Sequence, residues 1–589
     1  MAFWALLAAL SCSAALAYVP SVTPLGLAMK WKNAKINVAG NAQNLNGISS
    51  QDFFDSVVKG LQRWKYASFQ ELDFDYWQGT DLTNFPTQSA MDGKSTIYFA
   101  SSAPSSVPRM ASNVLGVTQV WFNPDTGNIL EADISLNDLD YVFTMNPKDT
   151  SGYGSLESAR TQDRPRVFIQ NVITHELGHA LGLSHTGNLQ ATMLFTESPE
   201  QAHLGCDDLA GIRTLYPSPS RKARGSIEGT VTDEQGNPLF GAHIVAVSET
   251  RGTALSTGIS QANGSYRIDG LIPDRYYLMA EPFYAGSGAL PSFYSKMDFH
   301  VCPQNKAFIR TFLTGTGSGQ PTPIEVQNDR TTSSPPFSVN CSGGITQTAQ
   351  PPTAPLIDGK AAPSGGFGFL GRFSNTPDFQ LFSLKGLAGS IEIHALSYSL
   401  YSPIHLSLSI LDANGNPVSA TLQDPVYQGT SGYQDFDSTL TAEDLPPGDY
   451  WLKVSGDRLN YRYYPAPSSL DRVPFFLLTG RWGSAPRAEL WKENSRCSLT
   501  ENYPPYQSPP GNPPTKDVGT TGFCGGIADV SKPSDPKGGG GLISSVQFSE
   551  QVRAEDSNAV IGWFIPWAIL VLCHLGINSR LKKGVPLPV

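Results

Sequence analysis

The chain has 589 residues, with 41 Lys and Arg against 51 Asp and Glu and a formal net charge of −10 at pH 7, and no basic run marks a nucleic-acid face. This length exceeds what one core supports and implies about three or four domains. With 56 Gly, 45 Pro and a charged fraction of 16%, the composition favours strands, turns and linkers over long helices.

Residues 2–17, AFWALLAALSCSAALA, are apolar and end in the A-x-A pattern Ala15-Leu16-Ala17. They predict a secretory signal peptide over 1–17, although no Lys or Arg precedes the run. A first folded unit is expected over 18–218. Its AKINVAG (34–40) has a strand pattern. SSQDFFDSVVKGLQRWKYA (49–67) has a helical one: Ser49 or Ser50 can cap it, Asp52 suits its first turn, and Phe54, Val57, Val58, Leu61 and Trp64 recur at helical spacing. Strands are expected at 69–76, 95–100, 116–122 and 129–136, and a loop rich in Gly, Ser and Asp over about 138–164. One helix is expected to follow Pro165 through VFIQNVITHELGHALGL, and a short last one to begin near Asp207-Asp208.

RKAR (221–224) lies in a linker. From Gly225 short alternating strands separated by DEQGNP and ANGS turns predict a small β-sandwich over 225–315. A linker is expected over 316–364, a second β-sandwich over 365–482 and a Pro/Gly-rich flexible stalk over 483–558. AVIGWFIPWAILVLCHLGI (559–577) is apolar enough, and about long enough, to cross a bilayer. RLKK (580–583) begins its flank, so residues 578–589 are expected to be a cytoplasmic tail and the bulk of the chain to face outward. Between the two apolar ends lie Cys206, Cys302, Cys341, Cys497 and Cys524. Proximity in sequence predicts Cys302–Cys341 and Cys497–Cys524 bonds, with Cys206 free.

The chemistry concentrates in HELGHALGLSH (175–185), which holds three of the chain's nine histidines. On a helix His175 and His179 share one face, four residues being a little over one turn. A catalytic zinc takes three protein ligands and keeps a fourth place for water. Were the helix to continue, His185 would sit about 120° off that face and about 9 Å along. The chain must therefore break and turn back, and Gly182 stands where a residue free to adopt positive φ is required. Glu176, about 100° around from His175, is expected outside the ligand set, as the carboxylate that takes a proton from water and passes it to a leaving amine.

HELGHALGLSH resembles the H-E-x-x-H-x-x-G-x-x-H motif of the metzincin metallopeptidases. ATMLF (191–195), with Met193 eight residues after His185, is similar to the Met-turn of the matrixin branch, and CDDLAGIRTLY (206–216) resembles its C-terminal helix. The resemblance covers roughly 31–216. It implies an α+β catalytic domain with a mixed twisted sheet, an active-site helix and a C-terminal helix. It further implies a methionine under the metal, Asp207 bracing the Met-turn, 116–122 as the sheet edge that pairs with extended substrate, and 194–205 as the lining of the pocket beyond the scissile bond. Two departures stand out. No histidine precedes His175, so the histidine-built second zinc site of vertebrate matrixins is not expected. Nor is a propeptide with a cysteine switch. Ca2+ is a candidate in the acidic loops, without assignable ligands. GTVTDEQGNPLFGAHI and NGSYRIDGL, within 225–283, resemble the carboxypeptidase regulatory-like sandwich.

These readings predict a surface-anchored zinc endopeptidase acting on extracellular proteins or peptides, held to the membrane by its C-terminal helix. The two sandwiches are expected to be spacers or to bind an extracellular ligand. The competing reading is a surface adhesion protein with a non-catalytic metal site. An intact Glu176 favours the enzyme, because a structural site does not need it.

Overall fold

Helix α1 (Ser50–Ala67) begins where its cap allows. Ser49 Oγ accepts from Asp52 N at 3.0 Å, satisfying one of the N–H groups that a first turn leaves unpaired. Its buried stripe contains Phe53, Val57, Val58, Leu61 and Trp64, while Phe54, expected at helical spacing with the last four, is only partly buried against the core. In this computed structural model the chain is described over most of residues 19–482, apart from 80–90, 151–163, 195–200, 283–307, 342–355, 424–436, 459–474 and some shorter gaps, and again over 503–507 and 542–547. The expected signal peptide and the apolar segment 559–577 lie outside the described residues, among which no helix is long and apolar enough to cross a membrane.

Strands β1 (Lys30–Trp31), β2 (Lys35–Asn41), β3 (Asp73–Gly79), β4 (Ser95–Phe99), β5 (Val114–Phe122) and β6 (Asn128–Leu136) form a mixed sheet in the order β5-β6-β4-β2-β3, with β1 beside β6. β5 runs antiparallel to β6, and the rest are parallel to their neighbours. β3 starts at Asp73 and not at 69 because Phe69 and Gln70 take positive φ, 57° and 66°, which turns the chain before it can extend. A short parallel pair, β7 (Val142–Thr144) with β8 (Arg166–Phe168), takes up the residues where the next helix was expected to begin, so α2 covers Ile169–Ala180.

Every residue of α2 is buried, because it lies between the sheet and α1. Gly60 permits the approach of the two helices: a Cβ there would sit 2.8 Å from Leu177 Cδ1 and 3.3 Å from Ile173 Cγ2. Burial of Ile173 and Leu177 contributes about 1.5–3 kcal/mol each. Trp64 Nε1 donates to Thr174 O at 2.9 Å and Gln170 Nε2 to Ser56 O at 3.1 Å, which fixes the rotation of α2 about its axis. Helix α3 (Cys206–Leu215) closes the unit.

The next unit is a sandwich of two sheets. One has β11 (Thr253–Ile259) at its edge, then β10 (Ala242–Ser248), β13 (Asp274–Pro282) and β14 (Thr311–Phe312), with β15 (Ile324–Val326) also on β13. The other joins β12 (Ser265–Leu271), β9 (Gly225–Thr232) and β16 (Thr331–Ser333), with β17 (Phe337–Ser338) also on β9. The sandwich thus runs past its expected end at 315, since β16 and β17 pair in parallel with β9. The apolar core is continuous from the first unit into this one, Ile36 through Trp64 and Leu209 to Ile227 and Tyr266 belonging to one cluster.

The third unit is one folded sheet, where two separate sheets were expected. It holds β18 (Leu356–Asp358), β19 (Gly366–Arg372), β20 (Asp378–Leu396), β21 (Ile404–Leu411), β22 (Thr421–Gln423), β23 (Ser438–Arg458) and β24 (Phe475–Trp482). The long strands β20 and β23 pair along most of their length, with register shifts between Leu384 and Ile391 where the sheet bends. Residues 503–507, inside the expected stalk, dock back on the first unit. Tyr503 stacks on Tyr66 with centroids 4.7 Å apart, and the Tyr506 hydroxyl accepts from Tyr76 N at 2.6 Å. A last strand, β25 (Leu542–Gln547), pairs in parallel with β5. It takes the sheet edge that was expected to be open to substrate.

The expected free thiol is also corrected. Cys206 and Cys341 are both disulfide-bonded, and Cys206 is buried at the start of α3.

Candidate metal centre

α2 carries His175 and His179 one turn apart, and the helix ends at Ala180. Gly182 follows with φ +96°, and the chain returns with His185. Nε2 of His179 lies 3.1 Å from Nε2 of His175 and 3.2 Å from Nε2 of His185. All three rings are fully or almost fully buried.

The other ring nitrogens settle what these contacts are. His175 Nδ1 is 2.7 Å from Thr192 O, and His179 Nδ1 is 2.8 Å from Leu183 O. A carbonyl oxygen can only accept, so Nδ1 carries the proton in both rings. Burial lowers the pKa of His175 and His185 well below the usual histidine value, and that of His179 to about 4. The rings are therefore neutral near pH 7. Nε2 of His175 and Nε2 of His179 both present lone pairs, and two acceptors at 3.1 Å repel unless a cation lies between them. This donor set fits a metal that prefers imidazole nitrogen. Among the described residues it is the one group of three or more such side chains placed to hold a metal, and its members are the three histidines alone.

Gly182 has no room for a side chain. A Cβ there would lie 2.0 Å from Met29 O, and its backbone is on the positive side of φ, where an L-residue costs about 1–2 kcal/mol. Gly182→Ala is expected to lower stability by at least that amount in denaturant unfolding and to weaken metal binding, because the turn it distorts carries His185.

Met193 packs beneath α2: a Cβ on Gly178 would meet its Sδ at 2.3 Å. Its own turn joins both ends of the cluster, since Thr192 O accepts from His175 and Met193 O accepts from Thr186 N at 2.9 Å. The brace of this turn is Asp208, not Asp207. Asp208 Oδ2 accepts from Thr192 N and Gly205 N, both at 2.7 Å, and Oδ1 accepts from Met193 N at 3.1 Å. Burial raises its pKa to about 7 against the pull of these N–H groups. Asp207 is about 100° around α3 and accepts instead from Thr257 N of β11 at 2.8 Å.

Glu176 is buried on the side of α2 that meets β5. Thr118 Oγ1 donates to its Oε2 at 2.6 Å. Oε1 is buried with no hydrogen-bond partner among the described residues. Burial raises the pKa of this carboxyl well above the usual range, opposed by the Thr118 bond. Gly116 makes the space, because a Cβ there would lie 2.7 Å from Glu176 Oε1. Thr118, Gly116, Gly178 and Asp208 escaped the sequence reading. Each acts on a residue far away in the chain or one turn off, and nothing in its own neighbourhood marks it. Of the expected pocket lining over 194–205, residues 195–200 lie outside the described residues. Gln201 donates to Thr192 O at 3.1 Å and to Leu194 O at 2.9 Å, tying the end of that loop to the methionine turn.

The matrixin family profile matches residues 31–217, and the profile of the carboxypeptidase regulatory-like domain matches residues 226–287. The chain is similar to Metalloendoproteinase 1-MMP of Arabidopsis thaliana, 27% identical over 197 residues, which are 32% of this chain and 45% of that protein. The chain thus matches less than half the length of that curated relative.

Proposed function

We propose that this chain, whose residues 31–217 form a matrixin domain followed by a carboxypeptidase regulatory-like domain, is a zinc-dependent endopeptidase acting on extended protein substrates. The observation that carries the reading is the convergence of the Nε2 atoms of His175, His179 and His185, two of the rings held by carbonyl acceptors at Nδ1, on the helix that also bears the buried Glu176.

His175, His179 and His185 would hold zinc through Nε2. When bound, zinc supplies Lewis acidity, which acidifies water and polarises a carbonyl. Glu176 takes the proton that water gives up on attacking the peptide carbonyl and delivers it to the departing nitrogen as the C–N bond breaks. Thr118 keeps Oε2 in place, leaving Oε1 without a competing donor among the described residues. The purified chain is expected to cleave a peptide library, to stop when a chelator strips the metal, and to resume when zinc is returned. Cleavage that continues without metal would overturn the reading.

The apolar 559–577 and the basic residues after it support a place at the cell surface with the bulk of the chain outside. A chain ending at 558 is then expected in the medium; its retention in the membrane fraction would place the anchor elsewhere. Extended substrate can pair with β5 once residues 542–547 leave that edge. A released chain ending at 541 should therefore turn over faster than one ending at 558, measured on the same peptide.

A further inference from the structure

We infer that the sandwich formed by residues 225–339 positions His185, and so completes the metal site that the first domain alone would leave with one mobile ligand. This rests on the reading of the three histidines as a metal site.

The loop after His185 lies on β11, the edge strand of the sandwich. Thr186, next to the ligand, has Oγ1 3.2 Å from Thr257 Oγ1. Thr253 Oγ1 donates to Gln190 Oε1 at the far end of the same loop. Thr257 is also the residue whose N–H and hydroxyl bond Asp207, at 2.8 and 3.0 Å. An edge strand leaves a row of N–H groups without a ladder partner, and here a buried carboxylate of α3 takes one of them. Asp207 also bonds the Thr186 side chain, so Thr257 closes a triangle that ties the ligand loop and the sandwich edge to the helix whose next residue, Asp208, braces the methionine turn.

Behind the loop the sandwich is built to be stiff. Gly187 packs on His243 of β10, and a Cβ there would meet the ring at 3.1 Å. His243 Nδ1 lies 2.7 Å from Glu281 Oε1, and Arg310 Nε donates to Glu281 Oε2 at 2.9 Å. All three side chains are buried, and both oxygens of the Glu281 carboxylate are held, one by His243 and one by Arg310, which ties β10, where Gly187 rests, to β13 and the segment before β14. On its other side the returning chain is held by the N-terminal segment, Ser21 N donating to Gly182 O at 2.8 Å and Ser184 N to Val19 O at 2.7 Å. His175 and His179 have a helix to fix them. His185 has this clamp, one jaw of which belongs to the second domain.

The test uses the full chain and three variants. Thr257→Val keeps shape but removes both hydroxyl bonds. Asp207→Asn keeps volume but loses the charge that draws the Thr257 N–H. Tyr266→Phe removes a hydroxyl from the other sheet of the sandwich, where it meets Ser334 at 2.6 Å. The readouts are the zinc dissociation constant by competition with a chromophoric chelator, the absorption spectrum of the cobalt-loaded chain, and the unfolding temperature of the metal-free chain. Loss of groups that orient ligands typically costs about 10–100-fold in metal affinity. Thr257→Val and Asp207→Asn are expected to weaken zinc by about tenfold and to change the cobalt spectrum, with Tyr266→Phe unchanged in both. A fall in unfolding temperature with zinc affinity and spectrum unchanged would overturn the proposal, as would equal weakening by Tyr266→Phe. If Thr257→Val does not fold, Thr253→Val, which removes the sandwich's bond to Gln190 Oε1, decides by the same criteria. A wild-type chain that binds no zinc would instead sink the reading of the histidines.

Discussion

His179→Ala is expected to lose its metal and its activity together. Nε2 of His179 stands between the other two, 3.1 and 3.2 Å from them, so its removal takes the central donor and leaves two imidazoles that do not share a close contact through it. The loss of zinc affinity should exceed the about 10–100-fold typical of disturbing a ligand's support. Stability supplies a second readout with a definite sign. A metal that binds only the folded chain stabilises it by about 2.7 kcal/mol at a free concentration 100 times its dissociation constant. Adding zinc should therefore raise the unfolding temperature of the wild-type chain and leave that of His179→Ala where it was. In the metal-free state the substitution ends the opposition of the His175 and His179 lone pairs, which offsets part of the cost of the cavity and of the lost bond to Leu183 O. Zinc content by atomic absorption and unfolding with and without zinc check both parts.

The parts of this site that could be read from the sequence are those encoded within a turn or two. His175, His179 and Glu176 follow from helix periodicity. Gly182 follows from the need to turn His185 back, and its φ of +96° meets that need. Asp207 and Asp208 show where such reasoning stops. Two adjacent carboxylates at the start of a helix have equal local claims, and which one faces the methionine turn depends on how α3 docks. The structure turns Asp208 to Thr192 and Met193 and gives Asp207 to Thr257, a residue of another domain. The same limit explains the extent of the sandwich, whose strands β16 and β17 find β9 about a hundred residues back. It explains Tyr503 and Tyr506 too: in a Pro-rich stretch they look like parts of a spacer, yet they rest on Tyr66 and Tyr76. Elements whose partners are distant in sequence carry no period to reveal them.

Glu176→Gln is expected to keep the metal and lose catalysis. The three histidines supply the donors, and the new side chain has the shape of the old, so zinc per chain should remain at the wild-type level. Its amide oxygen can still accept from Thr118, which now meets Oε2 at 2.6 Å. What the amide cannot do is hold a proton between water and the departing amine. General acid–base catalysis contributes about 10²–10⁴-fold, and kcat should fall by that factor while KM changes little, since no substrate-binding contact is removed. The surroundings of Glu176 sharpen the test. Gly116 gives Oε1 its space, a Cβ there falling 2.7 Å from it, and no described residue satisfies that oxygen. Leaving a buried acceptor unsatisfied costs about 1–3 kcal/mol, a cost with no structural return if the residue served only to hold the fold. Glu176→Gln sets an equally unpartnered amide nitrogen in that place but removes a buried carboxylate, so the metal-free forms should differ little in denaturant unfolding while turnover collapses. Loss of zinc in this variant would make the carboxylate a structural element of the site, and full turnover would move the catalytic centre away from residues 175–185.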